Sequence, residues 1–178
     1  MTWEGLTPPY ATIVADPPWS YNRSKGIQGA IDDQYSTLTG YEVAALQVEA
    51  LAAKDAHLYL WATTPKLWDR PHPAEIAEAW GFTFKTMITW VKGEKSGLGW
   101  YYRVDTEHCL FCTRGKAPIP PELRQSNVLW SPRGAHSAKP AAFYDIVESV
   151  SSGPYLELFC RAPVMGWDSW GKGYEVAS

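Results

Sequence analysis

The chain has 178 residues, 46% hydrophobic and 20% charged, an ordinary globular composition with enough length for one domain and a sizeable core. Its net charge of −3 counts against a dedicated nucleic-acid binder, which is usually basic. No basic region followed by an apolar one opens the chain, no apolar run approaches the roughly 18 residues of a membrane span, and the three cysteines give no disulfide framework, so a cytoplasmic, reducing setting is expected. Tryptophan is the outlier: there are 10, with 10 tyrosines beside them, and such rings serve either a core or stacking on nucleobases.

Residues 10–16 form a short β-branched apolar run, which predicts a buried strand. Residues 20–36 are polar and read as a loop that could act as a lid. Thr39 and Glu42 fit a capping box, and the helix they open is expected to run to about Lys54, with Val43, Leu46 and Ala50 on one face. Residues 57–63 are a second buried strand, and residues 73–80 a short helix closed by Gly81. A third strand covers 84–92, a glycine-rich aromatic loop 93–102, and a fourth strand 107–113. Residues 115–136 hold four prolines and read as irregular; 140–150 is a helix with Pro140 at its first turn; 155–160 is the last strand, before a tail rich in Trp and Gly. No repeat, low-complexity segment or linker interrupts residues 1–178, which read as a single domain. Strands alternating with helices predict an α/β domain on a mostly parallel sheet with helices on both faces. In such sheets ligands sit beyond the carboxyl ends of the strands.

Cys109 and Cys112, with His108 ahead of them, have the spacing of a zinc site. Residues three apart on a strand point to opposite faces, however, and neither a second CxxC nor the zinc deaminase pattern is present. No metal is expected. Charge is also uneven: residues 98–140 carry Arg103, Arg114, Lys116, Arg124, Arg133 and Lys139 against Asp105, Glu107 and Glu122. This is either a local basic surface or a set of solvated loops.

Asp16 stands at the end of the first strand, and Glu157 and Arg161 within and just after the last. An unpaired buried charge is costly, so these carboxylates point to the ligand cleft. Asp16-Pro17-Pro18-Trp19 adds a specific chemistry. An exocyclic amine on a nucleobase is a poor nucleophile because its lone pair is delocalised into the ring. If the Asp16 carboxylate and the Pro17 carbonyl both accept from that amine, electron density builds on nitrogen and its lone pair can be aimed at an electrophilic methyl group. Proline fixes φ and brings no competing N–H, and Trp19 offers a face for the base to stack on.

These residues resemble the DPPW motif of the adenine-N6 methyltransferase family, which includes the eukaryotic messenger-RNA adenosine methyltransferase and small phage and bacterial DNA adenine methyltransferases. The likeness spans nearly the whole chain and is greatest to the phage and bacterial members. Residues 99–101, 107–109 and 114–116 look like the family's middle segment, His136-Ser137-Ala138-Lys139-Pro140 its H-S-x-K-P motif, residues 155–161 its Y-L-E-L-F-A-R motif, and residues 166–171 its closing G-W-D-x-W-G.

The resemblance implies a Rossmann-like fold that binds S-adenosylmethionine, in a permuted order with the catalytic motif first and the cofactor strand last. It makes Asp16, Pro17, Pro18 and Trp19 catalytic. It places Asp16, Lys139, Glu157, Phe159, Arg161 and Lys172 at the cofactor, with Glu157 on the ribose and Lys139 on the cofactor carboxylate. Trp90 and Glu107 match family positions near the target base or the cofactor, Tyr21 and Asn22 would help to position the base, and the basic Arg114, Lys116 and Arg133 would hold the nucleic acid. The family closes with Trp-Gly-Asn-Glu, whereas here Trp170-Gly171 is followed by Lys172-Gly173, so one polar contact to the cofactor is partly missing. The activity implied is methyl transfer to the N6 amine of adenine in DNA, on a base flipped out of a duplex. RNA as substrate, cytosine-N4 methylation, and a non-catalytic nucleic-acid-binding or heterodimer subunit stay open, as does homo- or heterodimerisation.

Overall fold

The apolar runs of the sequence become the strands of one sheet. A computed structural model describes residues 3–21, 37–93, 101–134 and 138–171. In chain order the strands are β1 (Tyr10–Ala15), β2 (Ala52–Ala62), β3 (Thr83–Val91), β4 (Thr106–Arg114), β5 (Val128–Trp130), β6 (Tyr155–Leu158) and β7 (Asp168–Trp170). The helices are α1 (Gly40–Ala44), α2 (Pro73–Ala79) and α3 (Ala141–Val150). The described residues form a seven-stranded sheet in the order β5-β3-β4-β2-β1-β6-β7. β1 pairs in parallel with β2 and β6, β6 with β7, and β3 with β5, while β4 runs against both its neighbours. The sheet is therefore α/β and mostly parallel, as expected.

Two cores flank it. On one face Ile13, Ala15, Leu58, Leu60, Leu110, Leu156 and Leu158 pack with Val43 of α1 and Ile76, Ala77 and Trp80 of α2 and its cap. On the other face Val14, Tyr59, Trp61 and Phe111 pack with Phe143 and Val147 of α3. Helices thus cover both faces. Cys109 falls in the second core and Cys112 in the first, the opposite facing that strand geometry dictates for residues three apart. No described helix is long and apolar enough to cross a membrane.

The first helix is shorter than its sequence suggests. The capping box forms, with Glu42 N donating to Thr39 Oγ1 at 3.2 Å and Thr39 N to Glu42 Oε2 at 2.8 Å, but α1 stops at Ala44. Ala52-Ala53-Lys54, all good helix formers, instead open β2, where Ala52 pairs with Tyr10 and Ala56 with Arg114. Pairing of Ala52 with β1, and of the strand with β4 from Ala56 onward, overrides helix propensity there. β5 lies inside the segment read as irregular and β7 inside the aromatic tail; at three residues each, they are too short to show a period. Gly171, which follows β7, is required by packing: a Cβ there would stand 2.6 Å from the Cys160 carbonyl oxygen and 2.7 Å from its nitrogen.

Candidate active site

Strand register places the charged residues. Glu157 pairs with Val14, Trp61 with Cys109, and Glu107 with Trp90. Asp16 is two residues beyond Val14, Glu107 two before Cys109, and Lys92 two beyond Trp90, so a period of two puts all of them on the α3 face. Because β4 runs antiparallel, its amino end, which carries Glu107, meets the carboxyl ends of its neighbours. Lys139 arrives at the same edge just ahead of α3.

These groups form a closed charge cluster. Lys139 Nζ lies 2.8 Å from Asp16 Oδ2 and 3.2 Å from Glu107 Oε2, with its side chain only 8% exposed. Its third direction faces the Trp61 ring, 4.8 Å from the centroid. Lys92 Nζ donates to Glu107 Oε1 at 2.5 Å and sits 5.0 Å from the Trp90 ring centroid. Burial alone would push the Glu107 carboxyl up, but Lys139 and Lys92 outweigh it and hold the group below the ordinary carboxylate range. Burial pulls Lys139 down, yet Asp16 and Glu107 together raise it above an ordinary lysine. Two carboxylates and two ammonium groups balance. Oδ2 of Asp16 accepts from Lys139, whereas Oδ1 has no hydrogen-bond partner among the described residues.

The Asp-Pro-Pro-Trp turn is braced from behind. Trp19 N donates to the Pro17 carbonyl at 2.8 Å, Leu38 N to the Pro18 carbonyl at 2.8 Å, and Ser20 N to the Leu38 carbonyl at 2.8 Å. The Pro17 carbonyl thus keeps one lone pair for a ligand. Trp19 departs from expectation. The residue is 7% exposed, lies in the α1/α2 core, and donates from Nε1 to the Trp61 carbonyl at 3.1 Å. A ring so enclosed anchors the turn against the α1/α2 core.

Glu157 is 6% exposed. Its Oε1 accepts from the Tyr144 hydroxyl at 2.8 Å, and its Oε2 is buried with no partner of ordinary hydrogen-bond geometry. Burial pushes this carboxyl above its usual value; Tyr144 and the weakly donating Cys160 thiol act against that, as does Lys139, while Asp16 adds to it. Phe159 follows at φ 65°, the left-handed region that non-glycine residues seldom occupy and that often marks a functional turn. Arg161 is exposed and makes no ion pair or hydrogen bond among the described residues.

The remaining residues divide. Trp90 is 3% exposed and donates to the Ser131 carbonyl at 2.7 Å, so it walls the cluster from within the core. Tyr21 is exposed at the rim, its hydroxyl 2.6 Å from Thr63 Oγ1 and Lys66 Nζ 4.8 Å from its ring centroid. Arg133 is exposed at the carboxyl edge, donating to the Val104 carbonyl at 2.8 Å. Arg114 and Lys116 are not at this edge. Arg114 closes β4 whereas Glu107 is its second residue, which separates the two by roughly 23 Å of strand. The Arg114 guanidinium donates to Glu49, both to its carbonyl at 3.0 Å and to its side chain at 3.2 Å. The reversed direction of β4, invisible in a linear reading, carries these two residues to the far end of the sheet. Asn22, Lys172, His136 and Ser137 lie outside the described residues, as does most of the expected lid.

Three residues of the site are not evident from the sequence: Lys92, Trp61 and Tyr144. Lys92 is within reach of such a reading, two residues past Trp90 on an alternating strand. Trp61 and Tyr144 look like core aromatics, and nothing in their spacing marks them. A separate cavity of about 440 Å³ lies at the amino edge, lined in part by His57, Lys116 and Ser151. Its buried histidine is already saturated, Nδ1 by Ser151 Oγ at 2.7 Å and Nε2 by the Ala117 carbonyl at 2.8 Å. The buried carboxylate oxygen without a partner, Glu157 Oε2, belongs to the other edge.

The MT-A70 family profile matches residues 10–173, which takes in every element of the sheet and the whole charge cluster. The chain belongs to the MT-A70 family. Within it, the chain is 32% identical to the type II methyltransferase M.MunI of Mycoplasma sp, a match covering 91% of this chain and 76% of that protein. It is 27% identical to the human N(6)-adenine-specific methyltransferase METTL4, over 92% of this chain and 37% of that protein. It is likewise 27% identical to the human N(6)-adenosine-methyltransferase catalytic subunit METTL3, over 85% of this chain and 26% of that protein. The chain therefore spans most of the bacterial relative and about a third or a quarter of the human ones.

Proposed function

We propose that this MT-A70 protein transfers a methyl group from S-adenosylmethionine to the exocyclic N6 amine of adenine in DNA. The observation that carries the reading is Asp16: a carboxylate at the carboxyl edge of a central strand, gripped on Oδ2 by Lys139 at 2.8 Å and without a hydrogen-bond partner on Oδ1 among the described residues. A carboxylate so held can accept one N–H of the target amine through Oδ1, and the Pro17 carbonyl, fixed in rigid proline backbone, can accept the other. Both acceptors are in place before the base arrives, so little reorganisation is needed in the transition state.

The residues present fit the cofactor. A buried carboxylate oxygen without a donor is unfavourable, and a ribose diol supplies donors of the right kind. Glu157, Phe159 and Arg161 would hold the nucleoside end. When bound, S-adenosylmethionine supplies an electrophilic methyl group. The resemblance gives Lys139 to the cofactor carboxylate; committed as it is to Asp16 and Glu107, it serves in this reading as the clamp that orients Asp16. Nucleic acid would approach over the carboxyl edge, where Arg133 stands with Tyr101 and Tyr102, which are 97% and 89% exposed. DNA is favoured over RNA because the match to a type II methyltransferase is stronger and covers far more of that protein than the match to the adenosine-methyltransferase subunit does. A reducing, cytoplasmic setting goes with three free, buried cysteines.

The test is transfer of labelled methyl from S-adenosylmethionine to DNA by the protein and by Asp16→Ala. Losing one preorganised acceptor should lower the rate on the order of a hundredfold or more while the protein stays folded. Retention of more than half the activity would remove Asp16 from the mechanism.

A further inference from the structure

Tyr144 belongs to α3, where its ring packs edge-on against Phe143 and Trp167, each with centroids 5.5 Å away. Its hydroxyl leaves that aromatic layer to donate to Glu157 Oε1 at 2.8 Å. Burial, and then the Glu157 charge, push the phenol far above its ordinary range, so it stays protonated and acts only as donor towards this carboxylate. The terminal torsion of a glutamate is broad and nearly two-fold, so an unrestrained carboxylate would turn freely about it. Here one oxygen is fixed, and the other, Oε2, is buried with no partner of ordinary hydrogen-bond geometry.

We propose that Tyr144 is a positioning residue for cofactor binding: by holding Glu157 Oε1 it sets the plane of the carboxylate so that Oε2 meets the hydroxyls of a ribose. This rests on Glu157 being the ribose-binding carboxylate of the proposed methyltransferase. The groups facing Glu157 are few. Asp16 comes from the end of β1, Lys139 from the approach to α3, Tyr144 from α3 itself, and Cys160 from the turn after β6. Ser169 lies beside it in register on β7. Of these only the neutral Tyr144 hydroxyl makes a full hydrogen bond to the carboxylate, and the Cys160 thiol is a weak donor.

Tyr144→Phe keeps the ring and its packing but removes the hydroxyl. The carboxylate loses its orientation, which weakens binding of a ribose-bearing ligand. It also loses a hydrogen bond that favours ionisation, so the acid limb of binding moves to higher pH. A tyrosine that merely filled space would produce neither.

The experiment is calorimetric titration of the whole protein with S-adenosylhomocysteine, across mildly acidic to neutral pH, for the wild type, Tyr144→Phe and Glu157→Gln, with urea midpoints for all three. The expected result is about tenfold weaker binding by Tyr144→Phe at neutral pH, with its acid limb shifted upward. Glu157→Gln should bind weakly with no acid limb, because the titrating group is gone. Equal affinity in wild type and Tyr144→Phe overturns the proposal. So does a uniform weakening with an unshifted limb, which marks a packing role. A wild type that does not bind S-adenosylhomocysteine overturns the cofactor reading itself, and the role of Tyr144 with it.

Discussion

Lys139→Met removes one ammonium from between two carboxylates and keeps a side chain of similar length. At an effective dielectric of 20, unit charges about 4 Å apart attract by about 4 kcal/mol, and Lys139 has two such partners, with Nζ–O distances of 2.8 and 3.2 Å. Desolvation of a side chain only 8% exposed cancels much of that gain in the intact protein. Breaking the cluster is a different matter, because it leaves charges uncompensated, at about 3–5 kcal/mol for a buried pair. Glu107 keeps Lys92 at 2.5 Å, and both acidic side chains retain 19% exposure, so the loss belongs at the lower end, about 3 kcal/mol. Urea unfolding at pH 7 reads this directly. The pH dependence adds a sign. Glu107 is held below the ordinary carboxylate range, so its contribution is complete above that range and fades as pH falls through the lowered value. Lys139 is raised, so its contribution is complete below the ordinary lysine value and fades only as pH climbs past the raised one. The gap between wild type and Lys139→Met should therefore stay flat through neutral pH and narrow below about pH 4. A gap under about 1 kcal/mol, or one that persists unchanged at acid pH, would rule out the clamp.

Trp19→Ala should act through stability, costing about 3–5 kcal/mol as a core cavity opens, with urea unfolding as the measure. If the midpoint holds and only the KM for nucleic acid rises, the ring is a stacking face after all. Replacing Arg103 and Arg133 with Ala should flatten the salt dependence of DNA binding, by roughly 0.9 in log–log slope for each phosphate that is no longer neutralised. The same change at Arg114 and Lys116, at the far edge, should leave the slope untouched; the reverse pattern would place the DNA footprint at the amino edge. Gly171→Ala forces a Cβ within 2.7 Å of the Cys160 backbone and should destabilise by about 1–3 kcal/mol, seen as a lower melting temperature.

Much of this site is legible in the linear sequence, because the chemistry concentrates where strands end. Asp16 and Glu157 interrupt apolar runs, and a charge in a buried strand demands a partner or a ligand. Lys139 and Glu107 stand out by motif, and the fold brings them together beside Asp16. Direction is not legible. The β4 run looks like any other strand, yet it is antiparallel, and that one reversal sends Arg114 and Lys116 away from the cleft while bringing Glu107 into it. Partners are equally hidden. Lys139 has a ligand role by resemblance, and only its neighbours show that its ammonium is already shared between two carboxylates. Trp19 reads as an exposed ring beside a catalytic turn until the α1/α2 core closes over it. Tyr144 carries no signal in the sequence, because an aromatic on an amphipathic helix is what any core needs.

Mass analysis of nucleosides decides whether the protein methylates the exocyclic amine of adenine in DNA. DNA and RNA are incubated separately with the protein and S-adenosylmethionine, then digested to nucleosides, with Asp16→Ala as the control. N6-methyladenine should appear in the DNA digest of the wild type and be lost in the control. Methyl found only in RNA, or on cytosine N4, or in neither nucleic acid, would mean that the proposed reaction is wrong.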